Sequence, residues 1–262
     1  MRTRTSVSDP KWKTVSTLST ITHFSLAHCI VDKVAGDPSC GLFCIFDGHG
    51  GRQVSDHCAE RFPTLINKEL MKNPADLTKS IQDVFAKVDA ELRLLDADGC
   101  GSTACCCIVR KEGQNNVLYV ANLGDTRAVL SKGGQAERLS IDHKCDNQEE
   151  VKRIKGGGGI ILDMRVGGVL AVTRAFGDHS LRRSGLSAEP HIVKHTLQPF
   201  EKFLVIASDG IWDELSDQDA VNYCNEEMPA NKISQMIMKT AIDKGSKDNI
   251  SVIVVKFKGS TF

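Results

Sequence analysis

The chain has 262 residues, a formal net charge of zero, 41% hydrophobic residues and 25% charged ones. That is room for one large domain, or at most two small ones, and the even charge balance carries no basic excess for a nucleic-acid backbone. No apolar run reaches the ~18 residues that a membrane helix needs, and the polar start Met1–Trp12 lacks an apolar leader core. The expectation is therefore one domain over 1–262, cytoplasmic with the nucleus also open, without a nucleic-acid or membrane partner. No oligomeric state is implied.

In chain order, short runs rich in Val, Ile, Phe and Cys predict strands at Thr14–Ile21, Phe24–Val31 and Gly41–Phe46. Gly51–Leu70 predicts a helix that must bend or break at Pro63. In Asp76–Leu95 the apolar residues Leu77, Ile81, Val84, Phe85, Val88, Leu92 and Leu95 recur at helical spacing. Further strands are predicted at Thr103–Val109, Asn116–Ala121 and Arg127–Ser131. Asp146 with Glu149 resembles a capping box before Val151–Lys155, and the glycines Gly156–Gly159 read as its C-cap or a loop before they read as a phosphate cradle. A strand at Lys202–Ala207, a helix start at Ser216 with Asp219, a helix over Asn231–Asp243 ended by Gly245 and a strand at Ile250–Phe257 complete the series. Helices come in clusters between groups of strands, which favours an α+β fold over a doubly wound parallel sheet.

Among the ten cysteines, Cys105, Cys106 and Cys107 are consecutive within an apolar run. Successive strand residues face opposite sides, so the three cannot converge on one metal. With no paired C-x-x-C clusters, the thiols read as small buried hydrophobes in a reducing compartment.

The carboxylates carry more. Asp47, Asp125, Asp209 and Asp248 each stand at the lip of a predicted strand, and Asp47 and Asp209 are each followed directly by glycine. One Asp-Gly is a turn; several on separate strands can meet in one cleft. Clustered carboxylates repel, and a hard divalent cation such as Mg²⁺ or Mn²⁺ relieves that cost. Two such ions can activate a water and clamp both oxygens of an in-line displacement. His49, flanked by glycines two residues beyond Asp47, can protonate a leaving oxygen near neutral pH. The chemistry reads as metal-assisted hydrolysis of a phosphate ester.

Seven segments in order make this specific: Phe43–Gly51, Gly101–Ala104, Val120–Ala128, Asp142–Lys144, Leu170–Asp178, Ala207–Asp213 and Asp248–Val252. Together they resemble the motifs of the PPM (type 2C) metal-dependent serine/threonine protein phosphatases. The resemblance implies an αββα sandwich of two antiparallel β-sheets flanked by helices, with metals at one end of the cleft. It implies that Asp47 bridges two Mg²⁺ or Mn²⁺ ions, that the Gly48 carbonyl binds one, and that Asp209 and Asp248 hold the first. Asp125, Asp209 and Asp213 would form a third, weaker site. His49 would be the general acid, and a metal-bound water would attack phosphoserine or phosphothreonine in phosphoprotein substrates. Asp142, His143 and Lys144 would be structural, leading into a flap over about 145–169.

The start of the chain departs from that pattern. Aligning Ala27-His28 with the family's Ala-His step puts Ile21 where a phosphate-binding arginine stands, and Ser25 and Leu26 where a Glu-Asp pair stands. Losing such a charge-assisted clamp costs about 1.5–3 kcal/mol. Arg52, Arg174, Lys33 and His23 are the candidates to replace it. The degraded edge also keeps open a pseudophosphatase that binds without turnover, and a third reading, a hydrolase of small phosphate esters.

Overall fold

The structure is a computed structural model and describes residues 12–13, 17–20, 25–95, 97 and 99–257. Ile21 and His23 lie outside the described residues.

Two antiparallel sheets form the centre. Among the described residues, one runs Phe176–Gly177, Gly101–Ser102, Gly41–His49, Ala104–Glu112, Asn115–Leu123, His191–Thr196, with Leu26–Asp32 also paired to Gly41–His49. The other runs Trp12–Lys13, Ile250–Phe257, Glu201–Ala207, Arg127–Lys132, Gln135–Arg138, with Thr17–Thr20 also on Ile250–Phe257. Alternation along the strands sorts the side chains into layers. Phe43, Ile45, Cys105 and Cys107 point between the sheets, against Leu130, Leu204, Ile206, Ile253 and Val255. Leu42, Cys44, Phe46 and Cys106 point outward, onto the helices Gln53–Lys72 and Leu77–Leu92. On the far side, Val129, Phe203, Val205 and Val254 meet Ile233, Ile237 and Ala241 of the helix Ala230–Asp243. Helix, sheet, sheet and helix thus enclose three apolar layers, the expected αββα order.

The cysteines behave as small hydrophobes: Cys44, Cys58, Cys105, Cys106 and Cys107 are all buried, and all ten thiols are free. Burial pushes the thiols of Cys44, Cys58 and Cys107 well up, and that of Cys106 to about 11.

Pro63 does not end its helix, which continues over Gln53–Lys72. An interior proline costs about 3 kcal/mol, while full burial of each large apolar side chain returns about 1.5–3 kcal/mol. Phe62, Leu65, Ile66 and Leu70 are all buried on that helix, so packing wins. The helix Leu77–Leu92 starts where expected, with the Asp76 side chain accepting from the Lys79 amide at 2.9 Å. Ser216 and Asp219 form the expected reciprocal cap of the helix Asp217–Asn222. The cap expected at Asp146 sits one residue later: Asn147 accepts from the Glu149 amide at 3.0 Å and opens the helix Gln148–Gly156. Gly156–Gly159 closes that helix, with Gly157 at the C-cap and Gly158 at φ 76°.

Candidate active site

The strand Gly41–His49 runs on past the predicted end at Phe46, so Asp47, Gly48 and His49 are its last residues. Glu201–Ala207 and Ile250–Phe257 lie side by side, with Ala207 opposite Val252. Ser208 Oγ donates to the Asn249 carbonyl at 3.0 Å and accepts from the Ser251 amide at 3.1 Å. Those bonds hold Asp209, the first residue of a short helix over Asp209–Trp212, beside Asp248. Asp125 sits in the turn between Asn115–Leu123 and Arg127–Lys132. The result is a cleft of about 270 Å³ lined by Asp47, Gly48, His49, Asp125, Asp209 and Asp248. Asp213 lies in an adjoining cavity that it shares with Asp248.

The electrostatics follow from this crowding. Burial, then the charges of Asp209, Asp125 and Asp248, push Asp47 well above the ordinary carboxylate range. Burial, then Asp125, Asp248 and Asp213, push Asp209 up to about 7. Asp209 Oδ1 is buried without a hydrogen-bond partner, an expensive state for a carboxylate oxygen unless a cation meets it. Lys144 supplies part of that charge: its Nζ lies 2.9 Å from Asp125 Oδ2. Burial disfavours the Lys144 charge, yet Asp125, Asp213 and Asp209 outweigh it and raise its pKa. Lys144 is thus tied to a carboxylate of the cleft. Among the described residues no three His, Cys, Asp or Glu side chains form a ready-made metal cage. An all-oxygen donor set with a partnerless buried oxygen nevertheless suits a hard divalent ion.

Asp142 and His143 do anchor structure. Asp142 accepts from Arg127 at 2.5 and 3.2 Å. His143 is buried, and its Nδ1 lies 3.2 Å from the Gly124 amide. Burial, followed by the Arg174 charge, pushes it down to about 3.

Among the described residues, the expected substitutes Arg52, Arg174 and Lys33 do not line the cleft. Arg52 is turned to Asp56, with Nε 2.5 Å from Oδ2, on the exposed start of its helix. Arg174 is bound to Glu150 at 2.6 Å and to the Glu189 carbonyl at 2.8 Å, so its guanidinium is spent on the segment before the cleft. Lys33 follows Asp32, which pairs with Gly41, at the end of the strand pair remote from Asp47. The arginine that does line the cleft is Arg165, from the small hairpin Ile161–Leu162 and Arg165–Val166. Nothing in its local sequence marked it; only the hairpin's fold over the cleft reveals it. Leu26 is the register partner of Asp47, and the Ser25 carbonyl accepts from the Gly48 amide at 3.1 Å. The residues aligned with the missing acids thus stand beside the cleft, without carboxylates.

The family model described as protein phosphatase 2C matches residues 6–250. Probable protein phosphatase 2C 52 of Oryza sativa subsp. japonica is 39% identical over 233 residues, which are 85% of this chain and 45% of the relative. The chain thus spans about half of that relative's length. Protein phosphatase 2C homolog 1 of Saccharomyces cerevisiae is 34% identical over 245 residues, covering 87% of this chain and 86% of the relative. In fold, the chain resembles a Toxoplasma gondii serine-threonine phosphatase 2C, with a TM-score of 0.78 at 24% identity over 96% of both chains. It also resembles a C. elegans sex determining protein, with a TM-score of 0.82 at 24% identity over 94% of this chain and 64% of that one. A family model that spans nearly the whole chain, and a relative matched over most of its own length, lead to one conclusion: the chain belongs to the protein phosphatase 2C family.

Proposed function

We propose that the chain is a divalent-metal-dependent phosphatase that hydrolyses phosphoserine and phosphothreonine in proteins. The observation that carries this reading is the partnerless buried oxygen of Asp209 in a cleft crowded with Asp47, Asp125 and Asp248, beside His49. Mg²⁺ or Mn²⁺ would be held by Asp47, the Gly48 carbonyl, Asp209 and Asp248, with Asp125 and Asp213 available to a further ion. Bound there, such ions neutralise the carboxylates and lower the pKa of a water for attack on phosphorus.

The chain's own groups supply the rest. Arg165 reaches the cleft from the hairpin and offers a guanidinium to the substrate phosphate, in place of the absent arginine. His49 borders the same cleft and hands a proton to the departing serine or threonine oxygen. Leu26 opposite Asp47 weakens the second ion's site, because a carboxylate is missing from its edge. That same residue favours the second reading, a pseudophosphatase that binds phosphoprotein without turning it over.

Phosphate release from a phosphothreonine peptide with Mn²⁺ or Mg²⁺ tests the proposal. Turnover should require the metal and disappear in Asp209→Asn. Arg165→Ala should lower kcat/KM about 10- to 100-fold, the worth of one charge-assisted contact. Folded protein that binds Mn²⁺ and releases no phosphate would transfer support to the pseudophosphatase.

A further inference from the structure

His49 is held by a residue 129 positions away: its Nε2 lies 2.5 Å from Asp178 Oδ2. Two short pairings and one peptide bond build the contact. His49 pairs with Gly101, Gly101 pairs with Gly177, and Asp178 follows Gly177 directly. The Asp178 backbone is left-handed at φ 44°, a conformation that is unfavourable for a non-glycine residue. Its amide donates to the Cys100 carbonyl at 3.0 Å, and its own carbonyl accepts from Leu181 at 2.9 Å. Gly101 lies under the crossing, where a Cβ would overlap both Asp178 Oδ2 and His49 Nε2. The Asp178 side chain is only 6% exposed, against 29% for His49. A left-handed aspartate, a buried carboxylate and a glycine that clears its path are three local costs, and they converge on one imidazole.

We infer that Asp178 is the positioning residue for His49. The carboxylate accepts the Nε2–H bond, fixes the ring's tautomer and rotamer, and leaves Nδ1 as the nitrogen that faces a ligand in the cleft. The inference rests on the reading of His49 as proton donor. For the transfer the ring takes up a second proton on Nδ1; that proton passes to the serine or threonine oxygen as the P–O bond breaks, and the ring is left neutral with Nε2–H on Asp178. A positioned general acid contributes about 10²- to 10⁴-fold, so loss of its orientation alone should remove part of that.

Two readouts test this. In metal-free protein labelled with ¹⁵N-histidine, two-bond ¹H–¹⁵N correlations should show the His49 ring fixed with the proton on Nε2, assigned by its disappearance in His49→Gln. The isosteric Asp178→Asn, and Gly101→Ala as a second route to the same loss, should mix the tautomers. In the metal-loaded protein, Asp178→Asn should lose about tenfold more kcat on a phosphothreonine peptide than on p-nitrophenyl phosphate, whose leaving group departs without a proton. Unchanged His49 ring signals in Asp178→Asn, or equal losses on the two substrates, would overturn the inference. If the wild-type protein turns over neither substrate, the functional reading fails, and the ring signals alone still decide the role of Asp178.

Discussion

Asp209 pays twice for its place in the cleft, through burial and through the charges of Asp125, Asp248 and Asp213, and both raise it to about 7. In the unfolded chain the same carboxyl ionises near its ordinary value of 3.8. Between those values the unfolded state sheds a proton that the folded state keeps, so the metal-free protein loses stability as pH rises through that window. The loss is complete above about 7. Asp209→Asn removes the group, and metal-free protein at pH 8 should then gain about 1–3 kcal/mol, discounted from the full shift for relaxation of the neighbouring acids. The gain should be smaller at pH 5, where less of the window has been crossed. Urea unfolding at the two pH values measures it, and an equal or absent gain would show that the carboxylates do not strain the fold. The same substitution removes a residue proposed to hold metal, so stability should rise while turnover disappears.

At the scale of the element, the segment over the cleft hangs on Glu150. Its carboxylate, 4% exposed, accepts from Arg174 at 2.6 Å, from Arg153 at 2.8 Å and from Thr173 Oγ1 at 2.7 Å. Burial works against its charge, but Arg174, Arg153 and Thr173 together hold it well below the usual carboxylate range. The helix Gln148–Gly156 is thereby tied to the stretch that ends at Arg174, and the hairpin carrying Arg165 lies between them. Removing one partner of a buried ion pair strands the others and costs about 3–5 kcal/mol. Glu150→Ala should therefore raise amide exchange across 160–174 well before the central strands exchange. It should also impair peptide turnover through Arg165, a residue that it does not touch. Uniform exchange over the whole chain would mean that this segment has no stability of its own. None of this was readable in sequence: Arg174 sits in a recognisable motif, but its partner is 24 residues away, and charge alone does not say which acid it meets. The helices, by contrast, were readable because apolar spacing and caps are local, as Asp76 and Ser216 show. Pro63 misled because its cost is local while the burial that offsets it is tertiary.

Across the whole molecule, the sheets were readable where both faces are buried and obscure where they are not. Ile250–Phe257 and Gly41–His49 announce themselves by apolar content. His191–Thr196 and Gln135–Arg138 sit at sheet edges with half-exposed polar side chains, and carry no such pattern. The convergence of Asp47, Asp125, Asp209 and Asp248 was legible because each follows or precedes a strong strand. The Asp178 contact was not, because it depends on two-residue strands too short to leave a signature. One long-range consequence of this packing is sensitivity to acid. His143 joins the turn at Gly124 to the segment before the cleft, since its carbonyl accepts from Thr173 at 2.7 Å and its ring faces the Gly124 amide. Burial and Arg174 lower it from 6.5 to about 3, and burial lowers its neighbour His191 as well. A histidine whose folded pKa is depressed stabilises the protein fully above its unfolded value. That contribution is lost as pH falls from 6.5 toward about 3, because only the unfolded chain takes up the proton freely. Each pH unit inside that window costs up to about 1.4 kcal/mol for one such group. Between pH 7 and pH 5 the wild-type protein should therefore lose about 1–2 kcal/mol more unfolding free energy than His143→Gln, a side chain that keeps a polar contact but does not titrate. Urea melts at the two pH values provide the comparison. Equal losses in both proteins would assign the acid sensitivity to the carboxylate pairs, such as Glu150 with Arg174, and remove His143 from the account.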